Sequence, residues 1–202
     1  MNQPLSEMIG NAIEVREVIE VLGGDRPGRF RDLCIELSAH LAYLARVADS
    51  ADDGRELARR ALDTGAALER FGRFIESQGG DGRVIEDTSL LPAADVVREV
   101  RAARSGWLAE VDTEAVGHTA GALGAGRRRK DDTIDPAVGL ELISKLGHQF
   151  DQDDLLARIY ARSEGDAEAA ERRLRQALTW SQHEQREPPL VHDFVQPPLK
   201  VR

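Results

Sequence analysis

Residues 138–161 read VGLELISKLGHQFDQDDLLARIYA. Short β-forming runs here alternate with turn residues. The stretch predicts a strand from Val138, a tight turn at Gly147, a short strand, a turn over Asp151 to Asp154 and a further strand. Working outward, Val96, Val97 and Val100 predict a strand. Gly106, Trp107, Leu108 and Val111 predict another, joined to the first through Ser105-Gly106. Thr113 to Leu123 is small and glycine-containing and reads as a short helix. Residues 164 to 180 carry Ala167, Ala170, Leu174, Ala177 and Leu178, the stripe of an amphipathic helix. Strands and helices therefore share this part of the chain.

The N-terminal part has a different period. The first ten residues show none and read as a loop leading into a helix. Asn11 offers an N-cap with Glu14 three residues on, the capping-box spacing, and Gly23-Gly24 stops that helix. A second helix carries Phe30, Leu33, Cys34, Leu37, Leu41 and Leu44 on one stripe. Ser50 opens a third, Gly65 breaks it, and a fourth runs through Leu68, Phe71, Phe74 and Ile75 to Gly79-Gly80.

The chain has 202 residues, 41% of them hydrophobic and 31% charged, the balance of a globular chain with a sizeable core. With five Phe, two Trp and two Tyr, that core is mainly aliphatic. A net charge of −9 argues against non-specific nucleic-acid or anionic-membrane binding. One cysteine, Cys34, excludes an internal disulfide and a cysteine-based zinc site. No run has the length of a membrane span, and MNQPLSEMIG lacks the basic head and apolar stretch of a signal peptide, so a cytoplasmic chain is expected.

Few residues point to chemistry by themselves. The basic run Arg127 to Lys130 is followed by Asp131, Asp132 and Asp135, lacks interleaved aromatics and reads as a solvated loop. Gly124 and Gly126 lack the third glycine of a dinucleotide loop and the GK[ST] end of a Walker loop. His40, His118, His148, His183 and His192 form no i, i+4 pair with metal spacing, and no GxSxG exists. Cys34 lies on an apolar stripe and reads as an inert thiol. Glu14 and Glu17 complement the dipole of the first helix. The alternative is that one of these carboxylates, with carbonyls from residues 5 to 8, holds a hard cation. The strands around Gly147 have the hammerhead form of biotinyl and lipoyl carriers. Lys145 lies within a strand-like stretch rather than at a hairpin tip in MKM or DK context, so carrier chemistry is not expected.

Three stretches resemble the pyrimidine-nucleoside and thymidine phosphorylase family: MNQPLSEMIGNAIEVREVIEVL (residues 1–22), GAALERFGRFIESQGGD (65–81) and GWLAEVDTEAVGHTAGALGAGRRRKDDTIDPAVGLELISKLG (106–147). Order and spacing match, and the likeness covers nearly the whole chain. The resemblance implies phosphorolysis of a pyrimidine nucleoside, with phosphate as co-substrate, to free base and pentose 1-phosphate. Family members are homodimers in which a helical domain faces an α/β domain across the substrate cleft. The sequence here begins past the family's midpoint. The glycine-rich phosphate loop and the base-binding Arg, Ser and Lys lie upstream, so no catalytic and no substrate-binding residue is carried over. One partial site is: a monovalent or calcium-type cation bound by the backbone oxygens of Leu5 and Met8 and the carboxylate of Glu17. Ser6 and Glu7 depart from the Gly and the small or aromatic residue usual there.

The resulting fold class is α/β (α+β). Residues 1–80 are expected to be the mostly helical end of a large α/β domain, 81–94 a linker, 95–195 a hammerhead-like C-terminal module and 196–202 a tail. The helices of the first part should expose an apolar face where the family's strands would lie. Two readings follow. The chain is the C-terminal portion of a phosphorylase, inactive alone and partnered by a missing N-terminal half in cis or, as one half of a split enzyme, as a separate chain. The alternative is a stand-alone, non-catalytic binding or interaction module.

Overall fold

The computed structural model describes residues 2–127 and 129–195. Arg128 of the basic run and the tail 196–202 lie outside the described residues. The chain opens with β1 (Met8–Gly10) and four helices, α1 (Ala12–Gly23), α2 (Arg29–Leu44), α3 (Ala51–Asp63) and α4 (Ala66–Ser77). Two 3₁₀ turns, Gly82–Ile85 and Thr88–Leu90, follow. Then come β2 (Val96–Arg101), β3 (Gly106–Val111), α5 (Thr113–Ala120) and a π-helical turn over Gly121–Ala125. The chain continues with β4 (Gly139–Leu142), β5 (Gln149–Phe150), β6 (Leu155–Ala161), α6 (Glu164–Gln176) and β7 (Leu178–Ser181). Among the described residues no helix is long and apolar enough to cross a membrane.

The strands form two antiparallel sheets, one ordered β1-β4-β6-β2 and the other β5-β3-β7. This mixed helix and antiparallel-sheet architecture is the expected α+β class. The core lies between the sheets and α5 and α6. Val100, Leu108, Leu140, Ala157, Ile159 and Leu174 are wholly buried in it. Aliphatic residues supply nearly all of this core, as the scarcity of aromatics requires. Helix ends follow local chemistry. The hydroxyls of Ser50 and Ser163 accept the amides of Asp53 and Asp166, and the Asp112 carboxylate accepts that of Ala115. Gly24 ends α1 in the left-handed conformation.

Several elements differ from the sequence reading. The opening segment is not all loop: Met8–Gly10 pairs with Gly139–Glu141 and forms the edge of the larger sheet. Three residues are too few to show alternation, and the partner strand lies far along the chain. The strands β2 and β3 are adjacent in sequence but pair in different sheets, so Ser105-Gly106 closes no hairpin. The last helix stops at Gln176, and Leu178–Ser181 is a strand on β3. Leu174, Ala177 and Leu178 fit a helical stripe, but only Leu174 is within the helix. Asn11 does not cap α1 with its side chain. Its amide instead donates to the Ala125 carbonyl, while Glu14 accepts the Gly10 amide.

The apolar stripe of α2 is largely uncovered. The helix buries Ile35 and Ala39, whereas Leu37, Leu41 and Leu44 are 56%, 65% and 75% exposed. These three follow an i, i+4, i+7 spacing and share a face. Tyr43, Val47 and Phe74 are also at least half exposed.

Candidate functional site

The candidate residues of the first segment gather around Glu17. Successive turns of α1 bring Ile13 and Glu17 inward, and Glu17 is only 2% exposed. Its two carboxylate oxygens accept the amides of Glu7 at 2.9 Å and Met8 at 3.1 Å. The carboxylate therefore pins the turn that leads into β1. The Met8 carbonyl accepts the Ser6 hydroxyl at 3.1 Å, and Leu5 is 52% exposed at the outer end of the turn. The structure thus brings Glu17 to the 5–8 segment, where it meets main-chain N–H groups.

Beside it lies a cluster that the sequence reading missed. Arg26, in the loop after α1, extends back along that helix. Its Nε bonds Glu20 at 2.6 Å, its Nη1 bonds Glu7 at 2.7 Å and its Nη2 bonds Glu141 at 3.2 Å. Glu17 lies 3.9 Å from Nη1. Glu141, on β4 and nearly inaccessible, also accepts from Arg158 at 2.8 Å and from the Tyr160 hydroxyl at 3.3 Å. Lys145 donates to the Leu142 carbonyl at 3.3 Å and sits 3.5 Å from Glu7.

The protonation states follow from this crowding. Burial disfavours the Glu141 carboxylate, but the bonds from Arg158 and Arg26 prevail and hold its pKa below the ordinary value. Burial likewise opposes the Arg26 charge, and Glu141, Glu20 and Glu7 reverse that and raise its pKa. Lys145 is lowered by burial, which Glu7 and Glu17 only partly offset. Burial and the Glu141 charge both raise the Tyr160 phenol. Each charge is matched by a neighbour, so the cluster is a polar joint between α1, β1, β4 and β6 and presents no free base or nucleophile.

The donor set does not fit a bound cation. A calcium-type ion takes about 6–8 oxygen ligands. Here both Glu17 oxygens accept N–H bonds and a guanidinium stands beside them. Among the described residues no group of three or more His, Cys, Asp or Glu is arranged to hold a metal. The adjoining cavity, between Gln3, Leu5, Glu7, Glu17, Arg26 and Lys145, measures about 30 Å³. Of the clustered groups the sequence reading did not name, Glu141 carries a signal, as a charge within the apolar run VGLELI.

The remaining candidates stay apart. His40 bonds Glu36 at 3.0 Å, and Glu36 also accepts from Arg55 at 2.6 Å. His118 is exposed on α5. Arg127, Arg129 and Lys130 are exposed, and the Arg129 amide is held by Asp132. The Cys34 thiol is pushed up by burial, as an inert thiol should be. It borders an apolar cavity of about 270 Å³ between the first four helices, lined also by Val18, Leu22, Phe30, Ile35 and Leu62.

Residues 107–181 match the family described as pyrimidine nucleoside phosphorylase C-terminal domain. Over 195 residues, 96% of its length, the chain is 39% identical to a pyrimidine-nucleoside phosphorylase of Geobacillus stearothermophilus. Over the same length it is 36% identical to relatives of that name from Staphylococcus aureus strains. Along nearly its whole length the chain is thus similar to pyrimidine-nucleoside phosphorylases, and residues 107–181 carry the C-terminal domain of that family model. It spans 45% of the length of these curated relatives and corresponds to their C-terminal part.

Proposed function

We propose that this chain is the C-terminal portion of a phosphorylase that cleaves a pyrimidine nucleoside with phosphate, giving free base and pentose 1-phosphate. The observation that carries this reading is the likeness to pyrimidine-nucleoside phosphorylases along 96% of the chain. On this reading residues 1–80 complete a larger α/β domain, 81–94 link it to a module over 95–195, and the working protein is a cytoplasmic homodimer. The remaining portion, in cis or as a separate chain, supplies the phosphate and base contacts. It also covers Leu37, Leu41 and Leu44 and the apolar cavity beside Cys34, surface of the kind that marks an interaction face. Catalysis would then rest on positioning and electrostatics in the closed cleft.

Phosphate-dependent release of uracil or thymine tests this. The purified chain alone should release neither base. Adding the N-terminal portion of the Geobacillus stearothermophilus relative should restore release. Release by the chain alone would overturn its assignment as an incomplete enzyme. Failure of the two portions to associate or act would favour a non-catalytic binding module.

A further inference from the structure

The joint around Arg26 lies where the resemblance places a cation, and its chemistry is different. Glu17 and Glu20 sit on one face of α1, Glu7 enters from the opening turn and Glu141 from β4. Four carboxylates converge on one guanidinium. Three touch it at 2.6, 2.7 and 3.2 Å and the fourth lies 3.9 Å away. We propose that the Arg26 guanidinium is the built-in cation of this cluster, occupying the place a potassium- or calcium-type ion would take and making this junction independent of metal.

Three observations support it. Glu7, which stands where the resembling family has a small or aromatic residue, supplies one of the carboxylates that grip Arg26. The loop carrying Arg26 is fixed at its root, because the amides of Asp25 and Arg26 both bond the Glu20 carbonyl. Lys145 and Arg158 add two further positive charges at Glu7 and Glu141. An incoming metal would face the charges of Arg26 and Lys145 in a cavity of about 30 Å³, room for about one water. Guanidinium is also the cation best suited to this task, since its planar fork meets several carboxylates at once and does not deprotonate. The inference does not depend on phosphorolysis, and its test reads stability rather than turnover.

The test is thermal unfolding of the 202-residue chain, stripped with chelator, at constant ionic strength in choline, potassium or calcium salts. The wild-type Tm should agree among the three within about 1 °C. Arg26→Met should melt lower by roughly 5 °C or more in choline, as expected when a partly buried charge network loses its centre. Potassium or calcium should then restore part of that loss with saturation, while Arg26→Lys stays intermediate and unresponsive. A wild-type Tm that climbs saturably with either ion overturns the proposal. So does an Arg26→Met protein that keeps the wild-type Tm, or one that melts lower and ignores both ions. Should Arg26→Met not fold, Arg26→Gln, which also removes the charge but keeps a polar side chain among the carboxylates, takes its place in the series.

Discussion

Gly54→Ala sets two effects of opposite sign against each other. Gly54 lies inside α3 and is buried where that helix crosses α2. Alanine is the better helix former by about 1 kcal/mol. A Cβ at this position, however, would stand 2.4 Å from the Ala39 carbonyl oxygen and 2.9 Å from its Cα. Both obstacles are backbone, so no rotamer relieves them and the two helices must move apart. Overpacking of this kind costs about 1–3 kcal/mol, and the rigid obstacle places it at the upper end. The expected net loss is about 1–2 kcal/mol, a fall in Tm of roughly 2–8 °C for a chain of this size. Gly117 in α5 provides the control, because a Cβ there meets nothing within 4 Å. Gly117→Ala should gain up to about 1 kcal/mol. Urea unfolding followed by far-ultraviolet circular dichroism measures both. A Gly54→Ala protein as stable as wild type would refute the close helix crossing. A Gly117→Ala protein that is clearly weaker would refute the open setting of α5.

Three further outcomes are expected. Glu141→Leu should lose about 3 kcal/mol or more in the same urea assay, because it leaves Arg26 and Arg158 facing an apolar side chain; an unchanged midpoint would show that the cluster contributes nothing to folding. Glu36, held at about 2 by Arg55 and then His40 against an ordinary 4.5, stabilises the fold fully above about pH 4.5, and this contribution is lost as pH falls through about 2. Thermal melts across that window should fall less steeply for Glu36→Gln than for wild type, and parallel slopes would contradict the ion pair. At Gly147, with φ of +83°, a Cβ would lie 2.4 Å from the Glu187 amide. Gly147→Ala should lift the segment around Glu187 and speed tryptic cleavage after Arg186, whereas unchanged cleavage would place that segment elsewhere.

The elements that were legible in the sequence are those whose cause is local. Ser50, Gly65 and Gly24 mark helix ends through their own hydroxyl or backbone freedom, and Gly147 turns the chain where φ must be positive. What escaped was decided at a distance. The β1 strand is a strand because Gly139–Glu141 pairs with it, and β7 because β3 has a free edge. The α2 stripe was correctly periodic, yet its outer leucines meet no covering layer among the described residues. Glu17 was singled out with Glu14 from its place at the start of α1, and the resemblance chose it over Glu14. Its neighbours were not, since Arg26 and Glu141 are 115 residues apart and no spacing rule joins them.

The short first strand also has a consequence for how the protein is made. Residues 8–10 leave the ribosome before all four helices, but their partner in the sheet is synthesised after them. Gln3 likewise waits for the Leu146 amide, 143 residues further on. The opening turn can be held by Glu17 early, but its bonds to the sheet and to Leu146 wait until translation has passed residue 146. Until then an apolar Met8 and the carboxylate of Glu7 have no sheet or lysine to meet. Domains that close such long loops fold slowly, because the entropy of closure is spent before the contacts form. Residues 3 and 8–10 are thus among the late ones to be locked, and completion of the larger sheet reports that synthesis has passed its fourth strand-forming segment, β4.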